Sequence, residues 1–438
     1  MNSLRLLLCL LPLLLWPSAL GRSQGAPILR EIEVAGGDRD QRVQAVVYDC
    51  NRAEILVVWQ VDMGGGDTDL YGRRARPGSG FQWLGEAFVI AETSSPERNA
   101  RVAFNPLDGD FLVVYERQLA SGDIAVVGQR LAGWSGGGDN GPELRGAAFN
   151  ISATVGREVD PDLAFLPATG QFAVVYELNG DIRAQRVARY HQGAGGGELI
   201  GDDLIVAADF ERAETEPVVA AGSQYAYFLV AYSYEFTPGD FDLRGQRLRG
   251  ASTPGDELIG AAFDLAFGSD VESEPRLSYS QSRQAFLAVW TATAAGNSDV
   301  RARWLDERVL SGDPDLGAVI SVADSPFAAE TSPWSDIDPI GGDTIISLTS
   351  SPAPGAAARV GLVRLNPDPL APQPVLQPLA LFPDRPFPFA SPRLALCPNQ
   401  PTMLIGYDAR FGVDPNYQHD VHLLVGGRWS VALPMLLR

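Results

Sequence analysis

The chain has 438 residues, with 54 acidic residues against 34 basic ones and a formal net charge of −20. Every basic residue is arginine, and histidine occurs only as His191, His419 and His422. The lack of lysine removes Schiff-base nucleophiles and the GxxxxGK[ST] phosphate loop, and the acidic balance leaves no basic stripe for nucleic acid.

Residues 1–21 read as an export signal: Arg5 gives a positive start, Leu6 to Trp16 an apolar run, and Ala19-Leu20-Gly21 a small-x-small cleavage site. The run is too short to span ~30 Å of hydrocarbon, and no later segment is long and apolar enough to do so. Residues 22–438 are therefore expected to form one soluble domain, secreted or held in a periplasmic or extracellular compartment, with no membrane span. Once the signal is removed, Cys50 and Cys397 remain. An even pair in an oxidising compartment is a disulfide candidate.

Ile28 to Ala35 reads as a lone strand ahead of a recurring unit. Each unit holds an apolar lead-in, a polar turn, an apolar run ending in Trp or Tyr, a Gly/Asp turn, and a run carrying arginine. The second runs end at Trp59, Tyr115, Tyr176, Tyr232, Trp290 and Tyr407, and a degenerate copy, Ile345 to Thr349, fills the remaining gap. The spacing is nearly constant at about 58 residues, which makes seven copies. Within a copy, short β-branched and aromatic runs alternate with Gly, Pro, Asn and Asp, as at Asn179-Gly180 between Gln171–Glu177 and Asp181–Val187. No stretch sustains a 3.6-residue period. Four antiparallel strands repeated seven times predict an all-β fold, a seven-bladed β-propeller of four-stranded antiparallel blades. Separate 58-residue β-domains would bury too little surface to stand alone. The lone strand from Ile28 is expected to complete the last blade. Copies one and seven then become neighbours, which brings Cys50 and Cys397 within reach of each other.

The LVVW/LVVY runs followed by GD-I/L-x-G-Q-R-L strands, best seen at Asp123 to Leu131, Asp181 to Val187 and Asp242 to Leu248, resemble the repeats of exported bacterial β-propeller proteins. The resemblance covers residues 28–438 and implies the fold alone, because propellers serve many unrelated functions. Copies six and seven depart from the pattern, and residues 352–392 carry eleven prolines.

Arg74, Arg130, Arg186, Arg247 and Arg364 share one position of the third run, which Asp69, Asp123, Asp181, Asp242 and Asp299 introduce. Such repetition predicts inter-blade packing rather than an anion-binding ring. Four copies place an acid before proline: Asp160, Glu216, Glu274 and Asp338. If first strands line the axis, these four form a candidate ligand site at one mouth of the channel, where a half-ring of carboxylates suits Ca²⁺ or a basic partner. Turn capping by the acids is the structural alternative. Gly64-Gly-Gly-Asp-Thr-Asp69 and Gly239-Asp-Phe-Asp242 are incomplete calcium loops, better read as hairpin turns. Gly133-Trp-Ser-Gly-Gly137 matches GxSxG but lies in a loop, without the strand and helix a nucleophile elbow needs. No catalytic residue, dedicated metal site or cofactor is expected; Ca²⁺ is the one ion left open. The functional expectation is a binding or assembly module without catalysis, meeting a protein or glycan at the cell envelope or outside the cell. The alternative is a glycoside hydrolase-like enzyme using the mouth carboxylates.

Overall fold

A computed structural model of the chain describes residues 29–77, 80–133, 143–190, 199–250, 257–307, 316–325, 328–337, 344–351, 358–365, 389–397, 402–411 and 418–427. The export segment, His191, Asp338, residues 134–137 of the GxSxG match and most of the proline-rich stretch lie outside these residues.

Among the described residues all regular structure is strand, gathered into seven antiparallel sheets. Blade four is the plainest: Glu214–Gly222, Tyr227–Thr237, Asp240–Arg249 and Leu258–Ala266 pair in that order. Blades one, two, three and five repeat this arrangement over residues 41–91, 97–152, 158–207 and 271–323. Blade one splits its fourth strand into Gln82–Trp83 and Phe88–Ala91. Blade six shows Ala329–Ile337, Thr344–Ser351 and Arg359–Leu365. Blade seven is closed by the other end of the chain: Leu29–Ala35 pairs antiparallel with Gln418–Gly427, outside Thr402–Phe411 and Phe389–Leu396.

The core lies between blades. Each of seven apolar clusters joins two adjacent sheets, including one that joins blade seven to blade one through Leu404, Leu423, Val57 and Trp59. Alternate residues of a second strand enter different clusters: Ile55, Val57 and Trp59 face blade seven, while Leu56 and Val58 face blade two. A sheet buried on both faces needs a continuous apolar run, which explains LVVW where a one-sided sheet would show alternation.

The G-Q-R motif of the third strand also has a packing cause. A Cβ on Gly245 would sit 2.4 Å from the Phe263 ring, and Gly72 and Gly128 meet Phe88 and Phe149 in the same way. The glutamine amide reaches the bulged fourth strand, as Gln129 Nε2 donates to Gly146 O at 3.2 Å. The arginine crosses to the next blade: Arg74 donates to Ala132 O and to Glu143 (2.8 Å), and Arg130 donates to Ala188 O. Each guanidinium lies over two phenylalanines, Phe88 and Phe111 for Arg74, Phe149 and Phe172 for Arg130. The repeated arginine is structural, as its repetition predicts.

Cys50 and Cys397 are joined across the seam, 347 residues apart in sequence with Cα atoms 5.6 Å apart. Arg393 Nε donates to Gln44 O (3.1 Å), and His419 Nδ1 meets Asp40 Oδ1 at 2.5 Å, so polar contacts brace the same closure. No helix among the described residues is long and apolar enough to cross a membrane.

Candidate functional site: the polar mouth of the axial channel

First strands pack against first strands around the ring and so line the axis. First and third strands run in one direction, so their starts, and the loops joining one blade to the next, share a face of the disc.

Near that face every first strand bulges. In blades two to six the bulge residue has φ close to +52°: Asn99, Asp160, Glu216, Glu274 and Ser332. A non-glycine residue in this region is held at a cost of about 1 kcal/mol or more, and the conformation persists only where surroundings fix it. Here they do. Asp160 N donates to Glu116 Oε1 of blade two (2.9 Å), Glu274 N to Glu216 Oε2 of blade four (2.8 Å), and Ser332 N to Glu274 Oε2 of blade five (2.7 Å). Ser332 Oγ and Thr291 Oγ1 also donate to Glu274, and Ser233 Oγ donates to Glu216. Carboxylates of blades two, four and five thus hold the strained amides of Asp160, Glu274 and Ser332 in the blades that follow. Glu216 and Glu274 stitch one blade to the next.

This register places the sequence-derived candidates. Asp160, Glu216 and Glu274 do converge on one cavity at the channel mouth. Asp338 lies outside the described residues, and the position it was expected to fill belongs to Ser332-Pro333. The displacement comes from copy six: Leu348, rather than Thr349, occupies the place of the terminal Trp or Tyr, as the pairing of Trp334 with Ser347 and Thr331 with Thr349 requires.

Two residues further along each strand the repeat fails. The equivalent positions carry Arg101, Asp162, Val218, Arg276, Trp334 and Arg393 in blades two to seven, and Ala45 in blade one. Arg101, Asp162 and Arg276, with Asp160, Glu216 and Glu274, line a cavity of about 140 Å³. Beyond it the channel opens into a less polar space of about 430 Å³ between Phe165, Leu277, Tyr279, Trp334 and Leu394. The guanidiniums of Arg276 and Arg393 lie 5.1 and 4.7 Å from the Trp334 ring centroid. Neither Arg101 nor Arg276 has a carboxylate within ion-pair distance among the described residues; each donates to the carbonyl just before it in sequence, Ala100 O at 3.1 Å and Pro275 O at 2.7 Å. Arg276 Nε is buried without a hydrogen-bond partner.

Burial, then repulsion from Arg276, lowers the Arg101 pKa to about 10, and burial with repulsion from Arg101 and Arg276 lowers that of Arg393. Arg101 stays charged at neutral pH. On the acid side, burial followed by the charge of Asp160 pushes Glu177 to about 7, and burial followed by Glu116 raises Asp160. The cavity therefore sets two guanidiniums that form no ion pair among the described residues beside the carboxyls of Asp160, Asp162, Glu216 and Glu274, with Glu177 near Asp160. Sequence reasoning missed Arg101, Arg276, Arg393, Trp334 and Glu177. For the first four the available signal was a first-strand column that changes from copy to copy, two places after one that repeats; Glu177 lies on the second strand, outside it.

The two described histidines do not build a metal centre. His419 meets Asp40, and His422 Nδ1 lies 3.3 Å from Glu31 Oε1. Among the described residues no group of three His, Cys, Asp or Glu side chains is arranged to hold a metal ion.

No protein-family model matches the chain, and no curated protein sequence matches it. Solved structures do share its fold. An endosialidase of phage phi92 is 9% identical over 94% of this chain and 70% of its own, with a TM-score of 0.52. The Dos1 propeller is 10% identical over 91% of this chain and 94% of its own (TM-score 0.47). A leech intramolecular trans-sialidase is 9% identical over 90% and 68% (TM-score 0.44). The likeness to the phage endosialidase supports the propeller fold that the sheets show. It also corrects the expectation of a module without catalysis, because an enzyme, the phage endosialidase, shares this fold. The expectation rested on acids that follow the repeat, and the ring just below them does not follow it. The fold belongs to the seven-bladed β-propellers, with a repeat-breaking, arginine-bearing mouth.

Proposed function

We propose that the chain is an exported propeller, of the bacterial repeat kind its motifs resemble, which holds a carboxylate-bearing glycan at the polar mouth of its axial channel. The observation that carries this reading is the non-repeating ring, where neither Arg101 nor Arg276 forms an ion pair among the described residues. A planar guanidinium donates two parallel hydrogen bonds to a carboxylate, and such charge-assisted bonds are about twice as strong as neutral ones. Trp334 restrains Arg276 and Arg393 by cation–π contact. A cavity of about 140 Å³ suits the acid group of a sugar, while the remainder of the ligand lies on the open face. The disulfide fits an oxidising compartment at the envelope or outside the cell.

Glu177 favours a second reading, turnover of that glycan. Glycoside hydrolysis takes two carboxyl groups, one protonated and one ionised. Glu177, pushed to about 7, stands beside Asp160. Glu216 and Glu274 are poorer candidates, because their oxygens already hold the next blade.

The test is a glycan array probed with the full secreted chain and with Arg276→Ala. Binding confined to acidic glycans, and lost in Arg276→Ala, supports the proposal. Equal binding to neutral glycans, or binding unaffected by the substitution, overturns it. Release of reducing ends from a bound glycan, abolished by Glu177→Gln with binding retained, would establish turnover.

A further inference from the structure

A separate cavity of about 500 Å³ lies between blades three and four, beside the loop that joins them. Phe210 of that loop, Glu214 of the first strand, and Tyr232, Arg244 and Ala262 of blade four line it. Blade four breaks the repeat here. Four blades end the apolar run of their second strand in tyrosine, and three of those hydroxyls are held inside the protein. Tyr176 Oη donates to Asp203 (2.7 Å), Tyr407 Oη donates to Glu31 (2.5 Å), and Tyr115 Oη accepts from Arg117 (2.8 Å). Asp203 and Glu31 occupy one position of the fourth strand, one residue before the partner of Ala184 or Leu423. In blade four that position, one residue before the partner of Gly245, belongs to Ala262. Tyr232 therefore keeps a hydroxyl with no hydrogen-bond partner among the described residues, on a side chain that is only 1% exposed and lines the cavity.

The charged groups around this cavity are engaged with one another. Arg244 Nε donates to Asp264 (3.3 Å), and its guanidinium stands 3.6 Å from the Tyr234 ring centroid. Asp209 accepts Tyr234 Oη (3.1 Å) and the Glu211 amide (3.0 Å), and Glu214 accepts the Asp209 amide (3.3 Å). Burial, against the pull of that amide, raises Glu214 to about 7. What remains for a ligand is uncharged: the Tyr232 hydroxyl within, and the fully exposed Phe210 ring at the rim. A ligand that meets both needs an apolar face and an edge of hydroxyls. A pyranose ring has the two together.

We infer that this cavity takes a neutral sugar ring, one face on Phe210 and a hydroxyl on Tyr232 Oη. Its volume falls within the range of about 300–1,000 Å³ usual for small-molecule sites, which join apolar walls to a few placed polar groups. At ordinary ligand efficiency a ring of about a dozen non-hydrogen atoms binds at about millimolar strength. The site stands apart from the mouth and does not depend on the acidic glycan proposed there.

Saturation-transfer NMR of the full chain with the methyl glycosides of glucose, galactose, mannose and N-acetylglucosamine, each at millimolar concentration, reads the site directly. At least one glycoside should show transfer to its ring protons, and Phe210→Ala and Ala262→Asn should each abolish it. Ala262→Asn fills the cavity and offers Tyr232 the acceptor that Asp203 offers Tyr176. It should therefore abolish the signal without lowering the melting temperature, which a misfolded chain cannot imitate. Tyr232→Phe should weaken the sugar several-fold at an unchanged melting temperature. Tyr176→Phe, which breaks the bond to Asp203, should lower the melting temperature and leave the sugar signal intact. Absence of transfer from all four glycosides in the unsubstituted chain overturns the inference. So does transfer that persists in Phe210→Ala or Ala262→Asn, or transfer lost in Arg276→Ala, which would place the sugar at the mouth.

Discussion

Two rings of side chains two residues apart line the same channel and obey opposite rules. Asn99, Asp160, Glu216, Glu274 and Ser332 share one strained conformation, and carboxylates of the preceding blade hold the amides of Asp160, Glu274 and Ser332. Arg101, Asp162, Val218, Arg276 and Trp334 share a position but neither charge nor partner. In a repeat protein every blade faces the same packing problem, so a residue that solves it recurs. A ligand on the axis meets each blade from a different side, so the residues that touch it differ. The comparison assigns the first ring to assembly and leaves the second free for the recognition proposed above.

Cys50 and Cys397 test the limits of that rule, because they also depart from the repeat and yet serve assembly. Their bond closes a loop of 347 residues, and loops of this length lie near the top of the usual range. Cys50→Ser should lower unfolding free energy by about 3–5 kcal/mol in urea titration, with glycan binding by the folded fraction unchanged. A loss of binding in the folded variant would tie the seam to recognition and blur the distinction.

Glu274→Ala comes next in size. It leaves Ser332 N, Ser332 Oγ and Thr291 Oγ1 without their acceptor and frees a strained bulge, which should cost about 2 kcal/mol. Glu274→Gln keeps one carbonyl acceptor and should lose about half as much. Equal losses in the two variants would mean that charge, and not the hydrogen bonds, holds the bulge.

Much of this architecture is legible in the sequence, for a physical reason. Sheets buried on both faces demand unbroken apolar runs, and seven such runs at a steady spacing leave little besides a ring. The closing strand and the cysteine pair follow from ring closure. Copy six is misread because Thr349 continues an apolar run whose packing residue is Leu348. The bulge is invisible because a residue before proline is normally extended, and here it is left-handed. The arginine ring escapes because it has no repeat to announce it, and only the register reveals that Arg101, Arg276 and Arg393 are equivalent.

Arg276→Ala should be nearly silent in stability, changing it by less than about 1 kcal/mol, since its loss relieves repulsion from its arginine neighbours. It should nonetheless weaken an acidic glycan at least about tenfold, the worth of one charge-assisted contact. Urea titration and calorimetry on the same preparation separate the two effects. A large stability loss with intact binding would move Arg276 into the assembly ring.

The smallest effect is a slope with pH, and its sign follows from acids that have acids for neighbours. Burial, and then the charge of Asp160, raises Glu177 to about 7 from an ordinary value near 4.5. Burial likewise raises Asp408 at the seam to about 7, against the pull of the Val43 amide and Arg393. Between about pH 4 and pH 7 the folded chain therefore holds protons that the unfolded chain has released. The stability these groups contribute is complete below the unfolded values and is lost as pH rises through about 7. Asp40, lowered to about 2 in its contact with His419, works in the opposite direction and only below the ordinary carboxylate range. Melting temperature in EDTA should thus fall steadily from pH 5 to pH 8, and Glu177→Gln should flatten part of that fall. A slope unchanged by Glu177→Gln would show that Glu177 is ionised alongside Asp160, and would remove the proton donor on which glycan turnover depends.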